Sequence, residues 1–192
     1  SVVALAVAAA LAAPALIWQV IAGFATVVFA ALLALYGLKL ARHFPEVVKE
    51  WNHPVRVSFF PTISISLLLL AVVWLDLAPQ ASFLLLIAGA TIHLAFTLAI
   101  LSSWLFHTHY DIKHANPAWF IPVVGNIIVP VAGVHLASPE LSWFFFSIGL
   151  VFWLVLLTIV LYRLFFHEPL PARLAPTLFI LLAPPSVGFI AY

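Results

Sequence analysis

Long apolar runs, separated by short polar segments, form the main pattern of this sequence. A helix needs about 20 apolar residues to cross the hydrocarbon core of a bilayer. Six runs reach that length, at residues 15–38, 55–75, 82–106, 117–137, 141–162 and 174–192. A seventh run, residues 1–13, is too short to span and is interpreted as the end of a longer span. The pattern predicts an all-α polytopic membrane protein with one incomplete transmembrane domain over residues 1–192.

The composition agrees with lipid as the solvent of this chain. Hydrophobic residues make up 66% and charged residues 7% of the 192 residues, and the mean hydropathy is +1.25. Soluble domains are about half apolar and about a quarter charged. The net charge of +1 gives no electrostatic reason to expect a nucleic acid as partner. The sequence contains no cysteine, which excludes disulfide bonds and thiolate chemistry.

The basic residues predict an orientation in the membrane. All seven lie in or beside three loops, and they are Lys39, Arg42, Lys49, Arg56, Lys113, Arg163 and Arg173. The loops near residues 76–81 and 137–141 contain none. Because basic residues are retained on the cytoplasmic side, loops 39–56, 107–116 and 163–173 are expected to face the cytoplasm. The short outer loops then join the spans into helical hairpins.

The two arms of each hairpin differ in proline content. Prolines recur with the same spacing in two successive first arms, as Pro117, Pro122 and Pro130 and then as Pro171, Pro176 and Pro184. The earlier first arm, 55–75, carries Pro61 and is a looser match. The second arms, 82–106 and 141–162, contain no proline, and the run at 15–38 fits the same class. The sequence therefore holds a repeat whose unit is one helical hairpin.

Each first arm also carries a stripe of small and weakly polar residues. In 117–137 the stripe falls at positions 122, 125, 126, 129, 130 and 133, and the other two arms contribute Ser58, Thr62 and Ser66, and Thr177, Pro184 and Gly188. Proline frees a carbonyl and bends a helix, so kinks are expected at Pro61, Pro122, Pro130, Pro184 and Pro185. Small residues also promote close helix packing. Their recurrence on three first arms favours a central pathway lined by bent helices.

The residues of this pathway favour anions. No Asp, Glu, Lys or Arg is predicted deep in any span, so the ionisable group of a coupled transporter is not evident. His93 and His135 are interpreted as structural, hydrogen-bonded histidines. Hydroxyl and amide donors, with basic residues at the inner mouth, suit passive movement of anions. Aromatic rings on the first arms either plug the pathway or simply pack, and the candidates are Phe59, Phe60, Phe120 and Phe179.

The loop sequence HTHYDIKH supports an alternative from another class. A membrane-embedded enzyme that binds a metal ion or haem would use His107, His109 and His114, beside Asp111. Their spacing matches no standard metal site, and paired histidines at matching depth for a haem are not evident. The sequence shows no phosphate-binding glycine loop, nucleophile motif or carboxylate pair. We expect no cofactor, no metal site and no enzymatic activity.

Three stretches carry a family resemblance, and they read LKLARHFPEVVKEWNHPVRVSFFPTISIS, HANPAWFIPVVGNIIVPVAG and ARLAPTLFILLAPPSVGFIAY. The chain resembles, over essentially its whole length, the tellurite-resistance/dicarboxylate transporter family, which includes bacterial TehA and the slow-type anion channels of plant guard cells. The resemblance implies ten helices, arranged as five hairpins around a central pore that the proline-bent helices line. This chain would then cover the end of helix 1 to helix 7. The family's gating phenylalanine, on helix 9, would have no counterpart.

The resemblance also implies site residues and partners. The expected pore-lining residues are Ser58, Phe60, Pro61, Thr62, Asn126, Pro130, Thr177 and Pro184. Small inorganic anions or C4-dicarboxylates are the expected substrates, without a prosthetic group. The expected assembly is a homo-oligomer, a trimer by resemblance, in the lipid bilayer of a bacterial inner (plasma) membrane.

Overall fold

A computed structural model describes residues 15–106 and 110–191 of the chain. Within these residues the structure is helical, and six helical segments are long and apolar enough to cross a membrane. They are Ile17–Arg42, Arg56–Trp74, Pro79–Phe106, Pro117–Leu136, Pro139–Phe166 and Ala172–Ala191. The predicted all-α polytopic fold is confirmed, and the six helical segments are candidates for the six complete spans. The short apolar run at 1–13 lies outside the described residues.

The second arms are continuous α-helices. Helices α1 (Ala15–Arg42), α4 (Pro79–Phe106) and α7 (Pro139–Phe166) each contain 28 residues. In α4 and α7 the only prolines are the first residues of the helix, where the missing N–H has no intrahelical partner to lose. At 1.5 Å per residue, each helix is about 42 Å long, which matches a bilayer with its headgroup layers.

The first arms change helix type along their length. The arm at Arg56–Trp74 begins as a 3₁₀ helix, Arg56–Phe59, and continues as α3, Thr62–Trp74, after Pro61. The last arm consists of a 3₁₀ segment, Ala172–Leu182, with Pro176 inside it, followed by α8, Ala183–Ala191. Because proline removes an N–H donor and crowds the preceding turn, it disfavours the regular i→i−4 ladder.

The arm at Pro117–Leu136 is the most interrupted of these helices. It runs in sequence through a 3₁₀ turn, Pro117–Trp119, helix α5, Phe120–Val124, a second 3₁₀ segment, Gly125–Ile128, and helix α6, Val129–Leu136. Pro122 lies inside α5, and Pro130 is the second residue of α6. The predicted difference between proline-bearing and continuous arms is thus visible in the backbone.

The second arms extend further than the apolar runs that predicted them. Helix α4 begins at Pro79 and α7 at Pro139, and α7 ends at Phe166. The side chain of Ser138 accepts a hydrogen bond from the backbone N–H of Leu141 and so caps α7. The helices therefore continue beyond the apolar runs, because helical hydrogen bonds do not require apolar side chains.

Helix α2, Phe44–Trp51, was not expected, because the sequence analysis treated residues 39–56 as a loop. It is separated from α1 by His43, and Pro45 occupies its first turn. Val47 packs inward and is buried, while Phe44 and Val48 are exposed. This helix has the amphipathic sequence FPEVVKEW. Its 8 residues are too few for hydrophobicity alone to distinguish a helix from a loop.

The arm at Pro117–Leu136 forms the centre of the described part. In the most apolar 18-residue stretch of this arm 56% of the residues are buried, whereas 6% are buried in the corresponding stretch of α1. One apolar cluster packs α6 against α3, α4 and α7, and it consists of Leu68, Ala71, Leu86, Ala90, Val129, Ala132 and Phe145. A second cluster surrounds α5 and contains Ala115, Trp119, Phe120, Val123, Val124, Leu156 and Val160. The exposed apolar side chains of α1, such as Phe24 and Leu35, are suited to lipid.

Candidate functional site

A groove lies between α1 and the arm at Arg56–Trp74. Its volume is about 430 Å³. The lining residues are Phe29, Leu32, Leu33, Tyr36, Glu50, Arg56, Phe59, Phe60, Thr62, Ile63 and Ser66. Phe60 and Thr62, which the sequence predicts to line a pore, both lie here. The groove is thus apolar along most of its length, with hydroxyls on one wall and charges at one end.

Three charged side chains meet at that end of the groove. The ammonium of Lys39 donates to Glu50 Oε2 at 2.7 Å. The guanidinium of Arg56 lies 3.9 Å from Glu50 Oε1. Lys39 belongs to the last turn of α1, Glu50 to α2 and Arg56 to the start of the 3₁₀ segment. The carboxylate therefore holds two cations, and three elements of the chain, at one position.

Aromatic rings stand beside these charges. Phe60 packs edge-to-face against Trp51, with ring centroids 5.0 Å apart, and against Tyr36 at 6.3 Å. These contacts fix the ring of Phe60 at the charged end of the groove. The sequence analysis named Phe60 both as a lining residue and as a candidate gate, and the gating role stays a prediction.

The hydroxyls of the groove are tied to backbone carbonyls. Thr62 donates to the carbonyl of Phe59 at 2.6 Å, and Ser66 donates to that of Thr62 at 2.8 Å. The first carbonyl belongs to the 3₁₀ segment next to Pro61, where the regular ladder is interrupted. The hydroxyls satisfy backbone groups in the absence of water and present their oxygens beside the groove.

A buried polar pair joins α3 to α4. Ser64 Oγ and His93 Nδ1 are 2.9 Å apart, and both residues are fully buried. His93 Nε2 has no hydrogen-bond partner among the described residues. A Cβ atom added at Gly125 would lie 2.7 Å from His93 Cε1 and Nε2. The absent side chain of Gly125 therefore makes room for the imidazole ring. The prediction that His93 is a structural histidine agrees with this placement.

Asn126 is turned toward α4. Its amide nitrogen donates to Thr97 Oγ1 at 2.9 Å and to the carbonyl of Val123 at 2.7 Å. Thr97 Oγ1 in turn lies 2.7 Å from the carbonyl of Pro122 and donates to it. Because Asn126 is fully buried between helices, its pore-lining role stays a prediction that this geometry does not favour.

The small residues of the predicted stripe contact second arms. Gly133 faces Ser142 of α7, whose Oγ would lie 2.8 Å from an added Cβ. Gly125 faces His93 of α4, and Pro130 is buried. The sequence predicts that this stripe faces a central pathway, and that role stays a prediction. In the structure Gly125 and Gly133 contact second arms, and Gly125 also lines a cavity between the first arms. Small residues also allow helices to pack closely. The polar residues on α4 and α7 that face these glycines were the feature of the sequence that could have indicated such packing.

The remaining predicted lining residues occupy separate places. Ser58 is fully buried, and its hydroxyl has no partner among the described residues, while Pro61 is buried beside it. Thr177 donates to the carbonyl of Leu174 at 2.6 Å. Pro184 lines an apolar cavity of about 170 Å³, together with Ile65 and residues of the arm at Pro117–Leu136. This second cavity lies between the three first arms.

The loop between α4 and the next arm is only partly described. His107 and His109, the alternative metal ligands, lie outside the described residues. His114 Nδ1 accepts a hydrogen bond from the backbone N–H of Asp111 at 3.1 Å. The hydrogen bond with Lys113 holds the pKa of the Asp111 carboxyl below its ordinary value. No group of three potential metal ligands is found among residues 15–106 and 110–191.

Arg163 was expected in a cytoplasmic loop but belongs to the last turn of α7. Its relative exposure is 3%, and Nε and Nη1 have no partner within the described part of the chain. Val160 and Leu156, on the same face of α7, are buried against α5. The helix thus continues past the apolar run and carries the guanidinium into the packed interior. Because basic residues near the ends of spans were interpreted only as signals of orientation, the burial of Arg163 was not predicted.

Continuous outer helices, alternating with proline-interrupted ones, define a polytopic membrane protein of helical hairpins. The sequence matches the voltage-dependent anion channel family over residues 1–192, and the chain belongs to this family. The family resemblance in the sequence is confirmed.

Individual relatives include transporters and anion channels. The chain is 31% identical over 182 residues to an uncharacterized transporter of Methanocaldococcus jannaschii, covering 88% of this chain and 53% of the relative. It is 33% identical to the S-type anion channel SLAH2 of Arabidopsis thaliana, over 84% of this chain and 32% of the relative. The tellurite resistance protein TehA homolog of Haemophilus influenzae is 27% identical, over 88% and 51%. The chain spans about half the length of the first of these relatives.

Proposed function

We propose that this protein conducts small anions across a membrane, through a passage that the groove between α1 and the arm at Arg56–Trp74 belongs to. The observation that carries the proposal is the groove itself, which is lined by Arg56 and Glu50 at one end, with Lys39 paired to Glu50 beside it, and by Thr62 and Ser66 along one wall. Membership of the voltage-dependent anion channel family supports the same activity.

The charges in the groove favour anions over cations. Arg56 and Glu50 line the groove, and Lys39 pairs with Glu50 beside it, so the three side chains together carry a net charge of +1. The attraction of this charge for an anion increases where the surroundings are less polar than water. Thr62 and Ser66 lie along the same wall, and either hydroxyl can donate to an anion if it rotates away from the backbone carbonyl that it now binds.

Substrate, assembly and orientation extend the proposal. Small inorganic anions are the proposed substrates, and C4-dicarboxylates are included because two neighbouring cations suit carboxylates.

We place the protein in a bacterial inner membrane, with loops 39–56, 107–116 and 163–173 on the cytoplasmic side, on the basis of their basic residues. A homotrimer without cofactor or enzymatic activity completes the proposal. Crosslinking of the protein in membranes, followed by sizing in detergent, tests the trimer.

Anion flux into liposomes tests the proposed activity directly. The complete gene product is reconstituted, and reversal potentials are measured in gradients of chloride, nitrate and malate. A reversal potential that follows the anion gradient is expected. Protein-free liposomes and liposomes with heat-unfolded protein are the controls. Currents that follow the potassium gradient, or no current from monodisperse protein, contradict the proposal.

A further inference from the structure

Two glutamates on α2 have different surroundings. Glu46 pairs with Lys49 at 2.7 Å on the solvent side, with side chains 58% and 71% exposed. Glu50 is 25% exposed, lines the groove, and lies between Lys39 and Arg56. The first pair joins neighbouring turns of one helix. The second joins three elements around a cavity, so the same residue type serves two purposes on one short helix.

The position of Glu50 on its helix makes its charge displaceable. Glu50 is the penultimate residue of α2, where the negative end of the helix dipole disfavours a carboxylate. Lys39 and Arg56 must therefore supply the stabilisation of this charge. Arg56 is 63% exposed and, at 3.9 Å, leaves one side of the carboxylate loosely held. A second anion can approach Arg56 from the groove, since Arg56 itself lines it.

We propose that Lys39 and Arg56 form a binding site for the permeating small anion, and that the Glu50 carboxylate occupies this site when no anion is bound. An entering anion displaces the carboxylate from one or both cations, and the carboxylate returns when the anion moves on. Glu50 therefore sets the affinity of the mouth for anions. This inference rests on the proposed function and assigns a role to one charge in it.

The glutamate pair supplies the experiment and its matched control. Chloride currents of the complete gene product are measured against chloride concentration for the wild type, Glu50→Gln and Glu46→Gln. Glu50→Gln removes the competing charge, so its half-saturating chloride concentration is expected to fall about threefold to tenfold. Glu46→Gln is expected to stay within about twofold of the wild type, because its carboxylate is exposed and screened. Equal values for the two variants overturn the inference.

A second pair of variants keeps the test decisive if Glu50→Gln does not fold. Arg56→Gln removes a ligand of the site, and its half-saturating chloride concentration is expected to rise about threefold or more. Lys49→Gln, on the exposed pair, serves as the control. An Arg56→Gln value equal to that of Lys49→Gln contradicts the inference.

A binding measurement distinguishes failure of the proposed function from failure of the proposed anion site. If the wild type carries no anion current, the proposed function is refuted. The site is then tested by the melting temperature in chloride or malate, because ligands that bind the folded state raise it. A larger rise in Glu50→Gln than in Glu46→Gln supports the site, and equal rises overturn it.

Discussion

Arg163 is a cation buried without a described counter-charge. Burial of a guanidinium without acceptors costs free energy, and replacement of buried charges by apolar residues of similar volume is often neutral or stabilising. The side chain follows Leu156 and Val160 along the packed face of α7. Its long aliphatic stem also fills space there. The charge and the packing of this residue therefore act in opposite directions on stability.

Arg163→Met is expected to leave the melting temperature unchanged or to raise it. Methionine preserves the aliphatic volume and removes a guanidinium whose Nε and Nη1 have no hydrogen-bond partner in the described structure. The measurement is thermal unfolding of the detergent-solubilised protein. Arg173→Met, at an exposed position, is the matched control. A drop of several degrees, specific to Arg163, would show that the guanidinium has an acceptor in the intact protein.

The hydroxyl of Thr97 connects α4 with the interrupted arm. Thr97→Val is expected to destabilise the protein by about 1 kcal/mol, since the Asn126 amide and the Pro122 carbonyl lose their partner. Thr158→Val is the control, because that hydroxyl bonds only to the carbonyl of Leu154 on its own exposed helix face. Unfolding in a mixed-micelle denaturant series measures both.

A double-mutant cycle isolates the contact itself. Thr97→Val and Asn126→Ala are expected to couple by about 0.5–1 kcal/mol. Strictly additive losses would contradict a direct hydrogen bond between the two side chains.

At the scale of elements, α7 packs closely against the 3₁₀ segment Gly125–Ile128 at Gly149. A Cβ atom added at Gly149 would lie 2.8 Å from the backbone nitrogen of Ile127 and 3.2 Å from the carbonyl oxygen of Val124. These are backbone atoms, so they cannot move aside as a flexible side chain would. Membrane helices associate through such close packing because lipid gives them no hydrophobic driving force.

Gly149→Ala is expected to destabilise the protein by about 2 kcal/mol, through separation of α7 from this segment. Gly37→Ala on α1 is the control, because no described atom lies within 4 Å of the added Cβ there. Alanine favours a helix over glycine, so the control is expected to be neutral or slightly stabilising. Equal melting temperatures for the two variants would exclude the close contact at Gly149.

Elements were predictable from sequence to different degrees. The three continuous arms follow from apolar length and the absence of internal proline, which are local properties. The prolines predict the 3₁₀ segments only approximately. The residue at which α-helical hydrogen bonding changes to 3₁₀ bonding depends on which hydroxyl or amide donates to the backbone carbonyls that lack an N–H partner. The Pro122 carbonyl illustrates this, since it accepts the hydroxyl of Thr97 from another helix just before the 3₁₀ segment that begins at Gly125. Helix α2 was missed because eight residues give too short a pattern.

At the scale of the whole molecule, the proposed orientation has a direct test, because the chain contains no cysteine. Gln80→Cys lies at the start of α4, on the side proposed to be external, and Lys49→Cys lies on α2. Both positions are exposed. A membrane-impermeant maleimide added to intact cells is expected to label the variant at position 80 and not the variant at position 49.

Permeabilised cells supply the control for the orientation, since both variants should then react. Labelling of position 49 in intact cells would reverse the proposed orientation. It would also place the charged end of the groove outside, without affecting the groove geometry.

The sequence by itself determined the lipid environment, the candidate spans, the two kinds of arm and the family resemblance. Apolar length, proline positions and stretches such as NPAWFIPVVGN are properties of the linear chain. Only the tertiary structure decided which way the small residues face. A glycine serves equally at a lumen and at a helix contact, and the choice for Gly125 and Gly149 depends on partners distant in sequence. The meeting of Glu50 with Lys39 and Arg56 is likewise tertiary, because charges from three elements converge only when those elements pack.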